Sequence, residues 1–155
     1  MSSELVVFLL SMIPIAELRL AIPLGIGFYN LSVWSTFFWA FLGNIIPIIL
    51  IIWGLDLLIN KLAVHRVYIL NRFFTWLFEK TRERHSKKIE LWRDLALVIF
   101  VAIPLPGTGA WTGALIAFVF GIPIKRAFPL ISLGVLIAGV IVTLITLGII
   151  NLPFV

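Results

Sequence analysis

The sequence predicts an all-α integral membrane fold: an inverted repeat of a re-entrant helical hairpin plus a transmembrane helix, its halves joined by an amphipathic basic linker. Three observations predict it. Of 155 residues, 62% are hydrophobic and only 12% charged, about half the charged share of an ordinary soluble domain. The charges are confined, with none in residues 20–55, 95–124 or 127–155 and nine Lys/Arg with five Asp/Glu in residues 56–94. Finally, two apolar stretches are interrupted by Pro and Gly at matching places. The composition excludes a water-soluble globular enzyme, a disordered tail and, with no Cys, a disulfide scaffold. The whole chain, 1–155, reads as one membrane domain.

The first half, 1–56, opens with Met1-Ser2-Ser3-Glu4, which has no basic n-region, so a secretory signal is not expected. Leu5–Met12 is apolar but short, and Pro14, Glu17, Arg19, Pro23, Gly25 and Gly27 follow it. Proline removes a backbone donor and clashes with the preceding turn. Non-helical backbone at membrane depth is tolerated only against protein or a water-filled cavity. Residues 5–29 are therefore expected to form a re-entrant hairpin. Residues 34–55 carry no charge and are predominantly apolar, long enough for an unbroken span of about 20 residues.

Residues 57–94 form the basic linker. Val67, Leu70, Phe73, Phe74, Leu77 and Phe78 recur at helical spacing between polar residues. That fits an amphipathic helix at the interface or a cytoplasmic extension of the first span. The pI of 10.1 needs no nucleic-acid partner, because positive charge beside membrane spans is what the positive-inside rule produces. The linker is expected in the cytoplasm, beneath the plasma membrane of a prokaryote.

The second half, 95–155, repeats the first. Leu95–Ile103 is short and apolar, and Pro104, Pro106, Gly107, Gly109 and Gly113 follow, giving an expected hairpin over 95–122. Residues 127–152 make the second span. An offset of 90 superposes Ile13-Pro14 on Ile103-Pro104 and Phe28 on Phe118; one further residue brings Gly43 onto Gly134. Each half crosses the membrane once, so the halves are inverted, as in many secondary transporters. With both hairpins turning back, eleven of the twelve Lys/Arg, Lys125 and Arg126 included, fall on the linker side, leaving Arg19.

Glu17 and Arg19 are the first candidates for function, since ionisable residues in a membrane segment are costly and mark functional sites. In extended backbone residues i and i+2 share a side, whereas on a helix they diverge. At an extended hairpin tip, bordered by Pro14 and Pro23, both would face one cavity. Arg19 would contact an anion through its planar fork, and Glu17 would be a protonatable partner linking transport to protons. The competing role is a structural ion pair. Pro104-Leu105-Pro106-Gly107-Thr108-Gly109 is the second candidate. Its Gly-rich backbone, with a helix starting near Ala110, could present N–H groups to an anion, and Thr108, Trp111 and Thr112 add polar and interfacial contacts. The alternative is a tight turn between half-helices. Gly109, Gly113, Ala117 and Gly121, four apart, read as helix packing. Asn44, beside Gly43 and near Pro47, satisfies a backbone group freed by the proline or lines a path. His65 and His85 have no zinc-ligand spacing, and neither H-E-x-x-H nor G-x-S-x-G occurs. No enzyme activity, metal or cofactor is expected.

Ile13–Gly25 (IPIAELRLAIPLG) and Ala102–Gly113 (AIPLPGTGAWTG) resemble the small multidrug export protein family, over nearly the whole chain. That family looks like a compact relative of the DedA, or SNARE-associated Golgi protein, superfamily. The wider resemblance implies two opposed re-entrant hairpins, transport of lipids such as undecaprenyl phosphate, and essential acidic and basic hairpin residues. Glu17 and Arg19 match the first-hairpin pair, whereas Pro106-Gly107-Thr108-Gly109 carries no charge.

The leading expectation is a transporter or flippase for a lipid-like anionic substrate such as undecaprenyl phosphate or a phospholipid, coupled to protons through Glu17. The alternatives are an exporter of small lipophilic cations that uses Glu17 directly, and a non-transporting membrane scaffold. Expected partners are membrane lipids, substrate, protons and a second copy of the chain, since two spans and two hairpins make a thin wall for a path.

Overall fold

The structure is a computed structural model that describes residues 2–57 and 87–150. The expected linker helix over residues 67–78 and the last two residues of the expected second span lie outside the described residues. Every regular element among the described residues is helical.

Helix α1, Ser3–Met12, is capped by the Ser2 side chain, which accepts from the Leu5 N–H, and carries Glu4 in its first turn; both suit the orphan donors and positive end of a helix N-terminus. Helix α2, Glu17–Pro23, runs without interruption into a π-helical turn, Leu24–Phe28. Proline supplies no N–H, and the turn that follows it shifts to i→i−5 bonding, with the Tyr29 N–H on the Leu24 carbonyl at 3.0 Å. Asn30, at φ 52°, closes the segment in the left-handed region, which Asn tolerates. Helix α3, Val33–Leu57, starts where Ser32 accepts from the Ser35 N–H and continues through Pro47.

The second half follows suit. Helix α4 is Lys87–Ala102, helix α5 is Ala110–Val119 and helix α6 is Ile124–Ile150. Gly121, at φ 64°, ends α5: its N–H bonds Phe118 O and the Ile122 N–H bonds Ala117 O, at 3.0 and 2.8 Å. That is a Schellman cap, which needs a left-handed residue at this point. Helix α6 begins three residues earlier than expected, because Pro123 supplies the first carbonyl acceptor, to Arg126 and Ala127 N–H groups, so Lys125 and Arg126 sit in its first turn.

Among the described residues, helices α3 and α6 are the two long and apolar enough to cross a membrane. Helices α1 and α5, ten residues each, reach about 15 Å at 1.5 Å per residue, half of a ~30 Å hydrocarbon core. On α3 the exposed Trp34 and Trp53 stand about 28 Å apart by the same rise, the separation expected of two interfacial aromatic belts.

The packing is paired. Helix α1 lies on α3 and α4 on α6, while α2 crosses to α6 and α5 crosses to α3; the two long helices also touch. The closest approaches correspond. A Cβ on Gly43 would strike Ser11 and the Phe8 carbonyl; a Cβ on Gly134 would strike Val101 and the Val98 carbonyl. Ser11 and Val101, and Phe8 and Val98, are related by the offset of 90 seen in the sequence. The core between these helices is built largely of small and branched residues, among them Val7, Ala21, Ala40, Ala110, Ala114, Ala117 and Ile131, all fully buried.

At one end, α4 and α6 are tied by charge. Arg126 donates from Nε to Asp94 at 2.6 Å and from NH1 to Glu90 at 2.9 Å, and Arg93 lies 3.5 Å from Asp94.

Candidate functional site

Glu17 and Arg19 do come together, though not on extended backbone. No breaker separates Pro14 from Pro23, and the segment uses that room for helix α2. Glu17 is its first residue, with φ 46°, a left-handed conformation that costs a non-glycine residue about 1–2 kcal/mol. This turn at the helix start brings the Glu17 carboxylate within 3.8 Å of Arg19 NH2, which two residues inside a regular helix would not allow.

Both side chains then reach the tip between α4 and α5. Glu17 is 4% exposed and accepts from the Trp111 N–H at 3.4 Å, in the first turn of α5, where free N–H groups and the helix dipole favour a negative charge. Gly109, at φ 152°, makes the space: a Cβ there would overlap the Glu17 carboxylate. Arg19 donates to the Leu105 carbonyl through one arm and to Thr108 Oγ1, at 3.0 Å, through the other. The Thr108 hydroxyl also accepts from the Leu105 N–H at 3.2 Å and donates to the Ile103 carbonyl at 2.6 Å, which uses its one donor and both acceptor positions. The Trp111 indole donates to Met12 O at 3.2 Å, an orphan carbonyl at the end of α1.

The anion position expected at the start of α5 is therefore filled by the chain's own Glu17. The remaining opening is beside Arg19. A cavity of about 330 Å³ lies between α2 and α6, lined by Arg19, Pro23, Gly27, Pro104 and, from α6, Val142, Ile145, Thr146, Ile149 and Ile150. Its wall is apolar, and Arg19 is its charged member; Glu17 does not line it.

Of the expected residues, Glu17, Arg19, Thr108, Gly109 and Trp111 meet in one cluster, and Pro23 and Pro104 border its cavity. Thr112 donates to Gly109 O at 3.3 Å, within its own turn. Pro14 and Pro106 are exposed, and Gly107, at φ 84°, shapes the tip. Asn44 is fully buried in α3, and its amide bonds to no backbone group, so the expected repair of the carbonyl freed by Pro47 is not made. The α6 wall was not anticipated. Thr143 and Thr146, the polar residues in that apolar run, were the available signal, and both donate to their own helix, to Gly139 O and Val142 O at 2.7 Å.

Residues 17–141 match the model of the family described as "putative small multi-drug export protein". The chain belongs to this family. The match starts at Glu17 and takes in the whole cluster and most of α6. No curated protein and no solved structure matches the chain. With two apolar helices of spanning length, membership in an exporter family makes this a membrane protein of the transport class.

Proposed function

We propose that the protein exports amphiphiles that pair an anionic group with a lipophilic body, lipid-like molecules such as a polyprenyl phosphate or a phospholipid. One observation carries this reading: Arg19 borders the apolar cavity while Glu17 is turned away into the start of α5. A cation entering the cavity would meet a guanidinium; an anion would meet its positive charge, whose Nε–H has no partner while both arms are held by Leu105 and Thr108. Protonation of Glu17 would loosen its hold on Arg19 and on α5, which gives transport a means of coupling to protons.

The architecture belongs to the same proposal. Helix pairs α1–α2 and α4–α5 act as re-entrant hairpins, and the halves as an inverted repeat, related to the DedA superfamily. The short α1 and α5, and the ion pairs that join the start of α6 to α4, support this. The linker and those ion pairs then lie on the cytoplasmic side of a prokaryotic plasma membrane, and a homodimer thickens the wall around the path. The reading assigns transport and no catalysis.

The family description favours a second reading, export of lipophilic cations. Reconstituted vesicles separate the two. With fluorescent phosphatidylglycerol as cargo, Arg19→Ala should abolish translocation, and an imposed pH gradient should change the wild-type rate. With ethidium as cargo, the cation reading requires Glu17→Gln to be inactive and Arg19→Ala to be tolerated. Failure of the wild type and of both variants to move either cargo would leave a non-transporting scaffold.

A further inference from the structure

Among the described residues that are at least nine-tenths buried, Thr36 and Asn44 are the two whose side-chain polar atoms have no partner. The Thr36 hydroxyl and both ends of the Asn44 amide are without hydrogen bonds, at 0% and 1% exposure. Buried polar groups are satisfied in the large majority of cases, and each hydrogen bond left unmade is destabilising. Both residues lie on one stripe of α3, Thr36–Ala40–Asn44–Ile48–Ile52, each at most 5% exposed. Asn44 is halfway between Trp34 and Trp53 and so at the middle of the bilayer.

The other half supplies a control. Gly43 and Gly134 make the same close contact, so Thr36 corresponds to Ala127 and Asn44 to Val135, with Ala40 on Ile131. Ala127, Val135 and Ile131 are equally buried. The fold thus accepts apolar side chains at these places, and packing does not call for an amide or a hydroxyl in α3. On α6 the hydroxyls of Thr143 and Thr146 are bonded to their own helix; the Ser132 hydroxyl has no partner, but that residue is only partly buried, unlike Thr36 and Asn44.

We infer that the Thr36–Asn44 stripe of α3 is part of the transport path, closed to solvent in this arrangement and wetted by water in a second one. The missing hydrogen bonds then bias the closed arrangement towards opening, since only opening supplies them. The inference rests on the exporter reading for its purpose but not for its test, whose readout is water access and needs no cargo.

The chain has no Cys, so a single introduced thiol is a clean reporter. Ala40→Cys, between the two polar residues, should react with a membrane-impermeant, water-soluble methanethiosulfonate in lipid nanodiscs. Adding Asn44→Val, the residue carried at the corresponding position of α6, should slow that reaction about tenfold or more. The control Ile131→Cys should be protected in both backgrounds. On its own, Asn44→Val should raise the melting temperature by a few degrees. Protection of Ala40→Cys in the wild-type background, equal rates with and without Asn44→Val, or labelling of Ile131→Cys as fast as Ala40→Cys would each overturn the inference. Should Asn44→Val fail to fold, Thr36→Val, which removes one hydroxyl at nearly constant volume, takes its place with the same expectations. If export fails for every cargo while Ala40→Cys labels as described, the exporter reading falls and the wetted stripe stands.

Discussion

The two halves of this chain pack alike and carry different chemistry. Phe8, Ser11 and Gly43 meet as Val98, Val101 and Gly134 do, yet the offset that relates them sets Glu17 against Gly107 and Arg19 against Gly109. One tip contributes two charges; the other contributes backbone and the Thr108 hydroxyl. Gly109 leaves room for a carboxylate, Leu105 gives its carbonyl, and α5 gives the N–H of its first turn. The difference teaches that duplication need not produce two sites. Here it produces one, a charged tip set into an uncharged tip that contributes backbone, one hydroxyl and the room a glycine leaves.

The comparison breaks most severely at Gly109. Gly109→Ala should put a Cβ into the Glu17 carboxylate on backbone at φ 152°, where no L residue is at ease. Strain and overpacking together predict a loss of about 2–4 kcal/mol, read as a fall in melting temperature and in folded yield, with export abolished. Gly107→Ala is the internal comparison. Its φ of 84° is strained as well, but a Cβ there meets nothing within 4 Å, so only about 1–2 kcal/mol should be lost. If the two variants melt together, Glu17 is not held where the structure has it.

Next in size is Thr108→Val. It deletes a hydroxyl with three satisfied hydrogen bonds, one from Arg19, one from the Leu105 N–H and one to Ile103 O. The expected cost is about 0.5–1.5 kcal/mol, the net worth of a hydrogen bond, because the Leu105 N–H and the Ile103 carbonyl keep each other at 2.9 Å and Arg19 keeps the Leu105 carbonyl. Thr108→Ser should restore most of it. Equal melting temperatures for the Val and Ser variants would mean that the Arg19–Thr108 link contributes nothing.

How much of this the sequence carried depends on the kind of interaction. Helices α3 and α6 were legible because runs of about 20 apolar residues have few other uses. The breaks at residues 13–16 and 103–109 were legible because Pro and Gly act locally. Glu17 and Arg19 stood out as charges in an apolar field. The partners of that pair were less visible, since the Leu105 carbonyl and the Trp111 N–H are backbone groups that every residue has. The α6 wall of the cavity was hidden for a related reason: Val142, Ile145 and Ile149 face the cavity with the same side chains that face lipid elsewhere. The expectation of extended backbone at residues 17–19 failed because it treated the whole Pro14–Pro23 stretch as broken, when proline disturbs mainly its own turn and the one before.

The smallest effect is expected where the halves differ at their ends. Asp94 corresponds to Glu4 and Arg126 to Ser35, so the α4–α6 ion cluster has no cation at the matching position on α3. Asp94 is 6% exposed and lies against both Arg126 and Arg93, whereas Arg126 is largely in solvent. Pairs with one exposed partner are screened and contribute little. Arg126→Gln should therefore lower the melting temperature slightly at low salt and leave it unchanged at high salt. Asp94→Asn should cost more than Arg126→Gln, because it leaves two guanidinium groups facing one another without their shared carboxylate. A salt-independent loss in Arg126→Gln, or one as large as that of Thr108→Val, would mean that the cluster holds α4 against α6 as firmly as the Glu17–Arg19 pair holds the two tips, and charge would then organise the second half as well as the joint between the tips.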